Sequence, residues 1–245
     1  MNAGHRTPNP GPGGTAVKRT FAVLGCAALA ALLFAAGCSR RRAVVAPVPA
    51  ALSEVEGYAS LKLTQNGETA KSKFSFVLEL SRRARVEIQD PLGRTAAILY
   101  IDDREGYFVL ASEKAYWKAP ADEIIAKFLG TPLSLPEMAG LLCGRWSGKG
   151  EGDAALTGWS LTRDGEGRWA SGRREALAFT VREFFPNSPV PRRVEFQTLS
   201  CRGSLSLLAM EFNKPLAASV FDLDFLNRYA SKSWEYIEKV LRHEN

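Results

Sequence analysis

Histidine is nearly absent. Of 245 residues only His5 and His243 are histidine, one close to each end. A Ser-His-Asp triad, a Cys-His pair and a histidine metal site each need an imidazole within a fold, and the sequence offers none in a suitable place. Cysteine is scarce too: Cys26, Cys38, Cys143 and Cys201, with no CxxC spacing. The stretch Gly144-Arg145-Trp146-Ser147-Gly148-Lys149-Gly150 lacks the four-residue gap before Gly-Lys and the Ser or Thr after it, so it is not read as a phosphate loop. Asp102-Asp103 and the pair Asp222 and Asp224 read as a turn and a solvated strand edge. No basic face interleaved with aromatics is evident, which argues against a nucleic-acid partner. No enzyme activity, metal or cofactor is expected.

Acid is missing where the chain begins. Residues 1–37 hold Arg6, Lys18 and Arg19 and no Asp or Glu, and Arg40, Arg41 and Arg42 follow. These six account for the whole net charge of +6, so residues 43–245 are neutral. The basicity therefore belongs to targeting, not to a nucleic-acid surface. Lys18 and Arg19 precede an uncharged run, 20–37, rich in Ala, Leu and Phe. A basic start, an apolar stretch and small residues before a cleavage point make a secretory signal. The run ends in Ala35-Ala36-Gly37-Cys38, a lipobox. Val23-Leu24-Gly25-Cys26 also fits, but the apolar stretch before it is too short. Cleavage before Cys38 and lipidation of Cys38 are expected. The three arginines that follow would lie beside headgroups, each adding about 1 kcal/mol of attraction to anionic lipid.

Residues 38–53 carry the lipidated cysteine, the arginines and an Ala/Val/Pro-rich stretch with Pro47 and Pro49. It reads as an extended tether spanning at most about 50 Å. The body, 54–226, begins in the strand period. Ala59, Leu61 and Leu63 alternate with polar residues, Phe74, Phe76, Leu78 and Leu80 occupy even positions, and Val86 and Ile88 alternate with Arg85 and Glu87. Such alternation makes a sheet with one apolar and one wet face. Asn66-Gly67 and Pro91-Leu92-Gly93 mark turns, and further strands are expected at 94–101 and 106–111. The period then changes. Ile124, Ile125, Phe128 and Leu129 share a helical face ended by Gly130 and Pro132, and Ser134 with Glu137 caps a second helix striped by Leu135, Met138, Leu141 and Leu142. Strands return at about 156–163, 168–171, 175–185, 193–200 and 203–212, with a last strand or loop at 215–225. An amphipathic helix is expected at 227–245, opened by Ser231 and striped by Trp234, Ile237 and Leu241. Two short helices can cover only part of one curved sheet, which leaves either a groove or a filled core. Cys143 and Cys201 read either as a disulfide or as two separate buried thiols.

The body resembles a family, the outer-membrane lipoprotein receptor LolB and its LolA/LolB-like relatives, over roughly 55–213. The likeness rests on Asp90-Pro91-Leu92-Gly93-Arg94-Thr95 leading into an apolar strand, and on a stretch containing Tyr116. It continues in the helical pair from Glu123 through Leu129-Gly130-Thr131-Pro132-Leu133 to Cys143-Gly144, and in Pro189-Val190-Pro191-Arg192-Arg193-Val194. The sequence departs from the family in its Gly-rich, charged stretch at 144–175 and its C-terminal helix. The resemblance implies a mainly β fold: an incomplete antiparallel barrel, a curved sheet closed by short helices around an apolar cavity for acyl chains. It implies a receptor that takes lipoproteins from a LolA-like periplasmic carrier and releases them into the inner leaflet of the outer membrane. Ser39 in place of an aspartate after Cys38 supports that membrane. The cavity is expected between Phe74, Phe76, Leu78 and Leu80 on the sheet and Ile125, Phe128, Met138 and Leu142 on the helices. In the family the leucine of the turn protrudes, so Leu92 is expected either to dip into the bilayer or to fold back as a plug. The other function considered is a non-catalytic scaffold in an envelope complex.

Overall fold

The computed structural model describes residues 44–243 apart from 66, 81, 103, 130 and 147–157. The signal sequence, Cys38, Asn66, Asp103, Gly130 and residues 147–150 of the glycine-rich stretch lie outside them. The chain divides after Arg42, and everything described belongs to the unit that follows.

The period-two stretches form a run of antiparallel strands: β2 (Glu54–Gln65), β3 (Glu68–Glu79), β4 (Arg83–Gln89), β5 (Thr95–Asp102), β6 (Glu105–Leu110) and β7 (Ala115–Pro120). Two helices follow, α1 (Ala121–Leu129) and α2 (Leu135–Cys143). Then come β8 (Ser160–Arg163), β9 (Trp169–Arg174), β10 (Leu177–Phe184), β11 (Pro191–Gln197) and β12 (Cys201–Phe212). The chain also forms two-residue strands, β1 (Val44–Val45) and β13 (Ala230–Ser231), and ends in α3 (Trp234–His243). One sheet holds all the described strands, in the order β13-β7-β6-β5-β4-β3-β2-β12-β11-β10-β9-β8, with β1 added beside β12. Pairing is antiparallel except for β1–β12 and β13–β7. Its outermost strands, β8 and β13, do not pair with each other, so the curved sheet is an incomplete barrel.

Curvature has identifiable sources. A register shift between Leu207 and Ala209 in β12 is a bulge against β2, and bulges bend and twist a strand. On the inner face Gly57 stands opposite Phe76, and Gly203 opposite Phe196. A Cβ on Gly57 would meet the Phe76 ring at 2.4 Å, and one on Gly203 the Phe196 ring at 2.1 Å. The ring tips thus sit over bare backbone, where any side chain on these glycines would clash.

Two sequence expectations need correction, and one open alternative is decided. Residues 44–53 are not a free tether. Val44 and Val45 pair with Ala209 and Met210, Leu52 is buried, and Arg145 donates to the carbonyls of Pro49 and Ala50 at 2.7 and 3.0 Å. The apolar Val45, Val48 and Leu52 explain this, because they pack against the main core. The stretch 215–225, read as strand or loop, is a loop. It holds the 3-10 turn Ala218–Phe221, a second such turn follows at Asp224–Arg228, and both lie over the outer face, where Arg85 donates to the Val220 carbonyl and Tyr100 packs on Phe225. The C-terminal helix starts at Trp234, not at Ser231, which is held in β13 beside Tyr116. That helix joins the body: Ile237 is fully buried with Phe108, Trp117 and Ile124, and Trp234 packs on Trp117 and Phe128.

Candidate functional site

Strand direction fixes where the site opens. Because neighbours are antiparallel, β2, β4, β6, β9 and β11 all run toward one end of the sheet. The turns after them form one rim. The link between α1 and α2 comes to the same rim, where the Cys201 thiol donates to the Leu129 carbonyl (3.3 Å) and Arg174 to the Pro132 carbonyl (2.6 Å).

A cavity of about 240 Å³ occupies the rim half of the inner face. Its walls are Leu61 and Leu63 from the end of β2, Phe74 and Phe76 from just past the middle of β3, Val86 and Ile88 from the middle and end of β4, and Phe196 and Leu205 from the β11–β12 pair. Its roof is Ile125, Phe128 and Leu129 of α1, Thr131 and Leu133 of the link, and Met138, Leu141 and Leu142 of α2. Ser72 and Thr131 are the only polar residues in the lining. Such a site has no hydrogen-bond code to read a ligand by. A ligand taken there would be selected by apolar shape.

Six of the eight residues expected to line it do so: Phe74, Phe76, Ile125, Phe128, Met138 and Leu142. Leu78 and Leu80 do not. They follow the same alternation but lie at the far end of β3, where Leu78 pairs with Val55 and Ala84 and is buried, and the Leu80 N–H donates to the Ser53 carbonyl. Alternation assigns a face, but not a position along the strand. Leu61, Leu63, Val86, Ile88 and Phe196 were legible as apolar strand positions, yet only sheet order places them around one void.

The roof is held by polar bonds. In α2 the Ser134 hydroxyl accepts from the Glu137 N–H, and the Glu137 carboxylate accepts from the Ser134 N–H. Glu137 is buried, and it also accepts from the Trp159 indole and pairs with Arg174 of β9. Burial pushes its carboxyl up more than any one partner lowers it. The Ser134 N–H, the Trp159 indole, the Ser134 hydroxyl and the Arg174 guanidinium together hold it below the ordinary 4.5. Gly144 closes α2 with a φ of 70°, a left-handed residue that glycine adopts freely. Cys143 and Cys201 are separate, buried thiols, and burial pushes Cys143 up to about 12, so it is inert.

Leu92 stands at the rim, 78% exposed, in the turn between β4 and β5. It is not a plug. Asp90 fixes the turn: its Oδ1 accepts from the N–H groups of Leu92 (2.8 Å) and Arg94 (2.9 Å), and its Oδ2 from Arg94 Nε (2.7 Å). Gly93 takes a φ of 81° and donates to the Asp90 carbonyl. A second leucine, Leu199 in the β11–β12 turn, is 92% exposed, and no sequence signal pointed to it. Among the described residues no group of three His, Cys, Asp or Glu converges as a metal site would, and no helix is long and apolar enough to cross a membrane.

Sheet and roof together define a class: an unclosed β-barrel holding an apolar cavity. Among solved structures it is similar to a DUF1329 family protein from Desulfovibrio piger, at a TM-score of 0.50 and 8% identity over 72% of this chain and 92% of that one. It is more loosely similar to a domain assigned to outer membrane lipoprotein sorting from Vibrio parahaemolyticus (TM-score 0.43, 10% identity, 73% and 93% covered). A LolA superfamily protein from Nitrosomonas europaea is similar at a TM-score of 0.40, with 10% identity and 71% and 92% covered. At such identities the likeness is one of fold. No protein-family model and no curated protein matches the sequence.

Proposed function

We propose that this protein is a lipid-anchored receptor of the bacterial outer membrane, facing the periplasm. It takes the acyl chains of lipoproteins from a LolA-like carrier and passes them, without catalysis, to the inner leaflet. The observation that carries this reading is the cavity: almost wholly apolar, roofed by two helices, and set at the rim where Leu92 protrudes. Its volume of about 240 Å³ lies below the ~300–1,000 Å³ of ordinary small-molecule pockets. It therefore covers part of an acyl chain. Each buried methylene contributes about 0.8 kcal/mol, so partial cover holds the chain and still lets a bilayer win it.

An apolar fluorophore should bind the protein saturably and be displaced by an acylated peptide. Met138→Trp, which fills the space, should weaken that binding and leave the fold intact. Absence of saturable binding would favour a scaffold role instead. The anchor we propose is lipid on Cys38: Cys38→Ala should release the protein into the soluble fraction. Membrane attachment that survives Cys38→Ala and is lost in Cys26→Ala would move the anchor to Cys26.

A further inference from the structure

Leu92 and Leu199 are the two large apolar side chains that stand exposed among the described residues, and both occupy turns of one rim. The strand register relates their heights. The β4–β5 turn follows Gln89, which pairs with Lys73 and through it lies in line with Ser60. The β11–β12 turn closes beside Cys201, opposite Gln65. The second turn is thus five residues further along the strands, about 17 Å, across four strand spacings of about 4.8 Å each. With a strand tilt of about 40°, as in a barrel, that stagger would bring the two tips to one height.

The outer face between them is basic. Lys71 and Lys62 stand directly opposite each other on β3 and β2, and Arg202 follows on β12 opposite Thr64. Like charges so paired destabilise a sheet. None of the three has an ion-pair partner among the described residues, and the acids bordering this trough, Asp90 and Glu195, are committed to Arg94 and Arg182. The Leu199 turn is built to hold its leucine out: buried Thr198 donates its N–H to the Cys201 carbonyl (2.8 Å), and its hydroxyl accepts from the Cys201 N–H (3.0 Å).

We infer that Leu199 is a second membrane-inserting tip, so that the rim seats on an anionic bilayer by two leucines with Lys62, Lys71 and Arg202 facing the headgroup phosphates between them. Apolar tips flanking unpaired cations are the chemistry of a lipid–water interface. An acidic protein would be met by the cations but gives no use to two leucines at one height. This rests on the proposed delivery function and adds to it the pose from which delivery occurs.

The test uses the full chain reconstituted in vesicles, with a dansyl amino acid at position 199, 92 or 165. Gly165 lies in the turn between β8 and β9, at the opposite end of the sheet. With 30% phosphatidylglycerol in phosphatidylcholine, the probes at 199 and 92 should both shift to the blue and be quenched by spin-labelled acyl chains, while the probe at 165 stays aqueous. Lys62→Gln and Lys71→Gln should each lower the inserted-to-exposed ratio at 199 about fivefold, the equivalent of ~1 kcal/mol per lysine at the surface. A probe that inserts at 92 and stays aqueous at 199 overturns the inference and leaves the delivery function standing. A probe at 199 that responds to an added acidic protein and not to vesicles overturns it in favour of a protein partner. Loss of acyl-peptide binding would count against the delivery function alone, because Leu199 is not in the cavity lining.

Discussion

Asp90 and Leu92 divide the β4–β5 turn between them, one holding and one protruding. At 78% exposure, Leu92→Glu removes no packing, so unfolding free energy should move by no more than about 0.5 kcal/mol. Lipoprotein delivery to membranes should fall. A variant that is equally stable and delivers normally would take Leu92 out of the mechanism. Asp90→Ala should leave the melting temperature almost unchanged and speed amide exchange at residues 92 and 94, because their N–H groups lose an acceptor. The same loosening should occur in acid. The Arg94 N–H, first among several donors, holds the Asp90 carboxyl below its ordinary 3.8. The turn's order is therefore complete above that value and is lost as pH falls through the lowered one.

At the scale of elements, α2 depends on a carboxylate and α3 on a single buried stripe. Glu137→Ala leaves Arg174, only 19% exposed, without its partner and should cost about 3–5 kcal/mol in chemical denaturation. Glu137 has a lowered pKa, so its contribution is full above 4.5 and disappears as pH drops through the depressed value. Near-ultraviolet dichroism from the packed Trp146, Trp159 and Phe179 should report that loss. Ile237→Ala in α3 should cost about 2–5 kcal/mol, since Ile237 is fully buried. The capping box, the αL glycine and the strand alternation were all legible in the sequence because each is a local pattern. The strand β7 was not, since Ala115-Tyr116-Trp117-Lys118-Ala119 is too short and mixed to declare a period. The placement of α3 was illegible for another reason. Its stripe announces a buried face, and what buries it is set by Trp117 and Phe128, more than a hundred residues earlier.

For the whole molecule, the docked strand β1 would limit how far the body could travel from a membrane under the proposed anchor. Five residues, 39–43, separate Cys38 from Val44, and the six steps of chain between the two span at most about 20 Å. Val44 sits beside Ala209, eight residues along β12 from Cys201 at the rim. That is about 26 Å along the strand, and about 20 Å in height at a barrel's tilt. With the proposed lipid on Cys38, leash and height are equal. Under that proposal the molecule would be moored with its rim near the bilayer and would have no slack to reach a carrier far out in the periplasm. A carrier would then have to come to it. Deleting residues 39–43 should leave the fold as stable as before and stop delivery, whereas ten added Gly and Ser residues before Val44 should restore it. Delivery unchanged by the deletion would mean that the berth is set by something other than this short line.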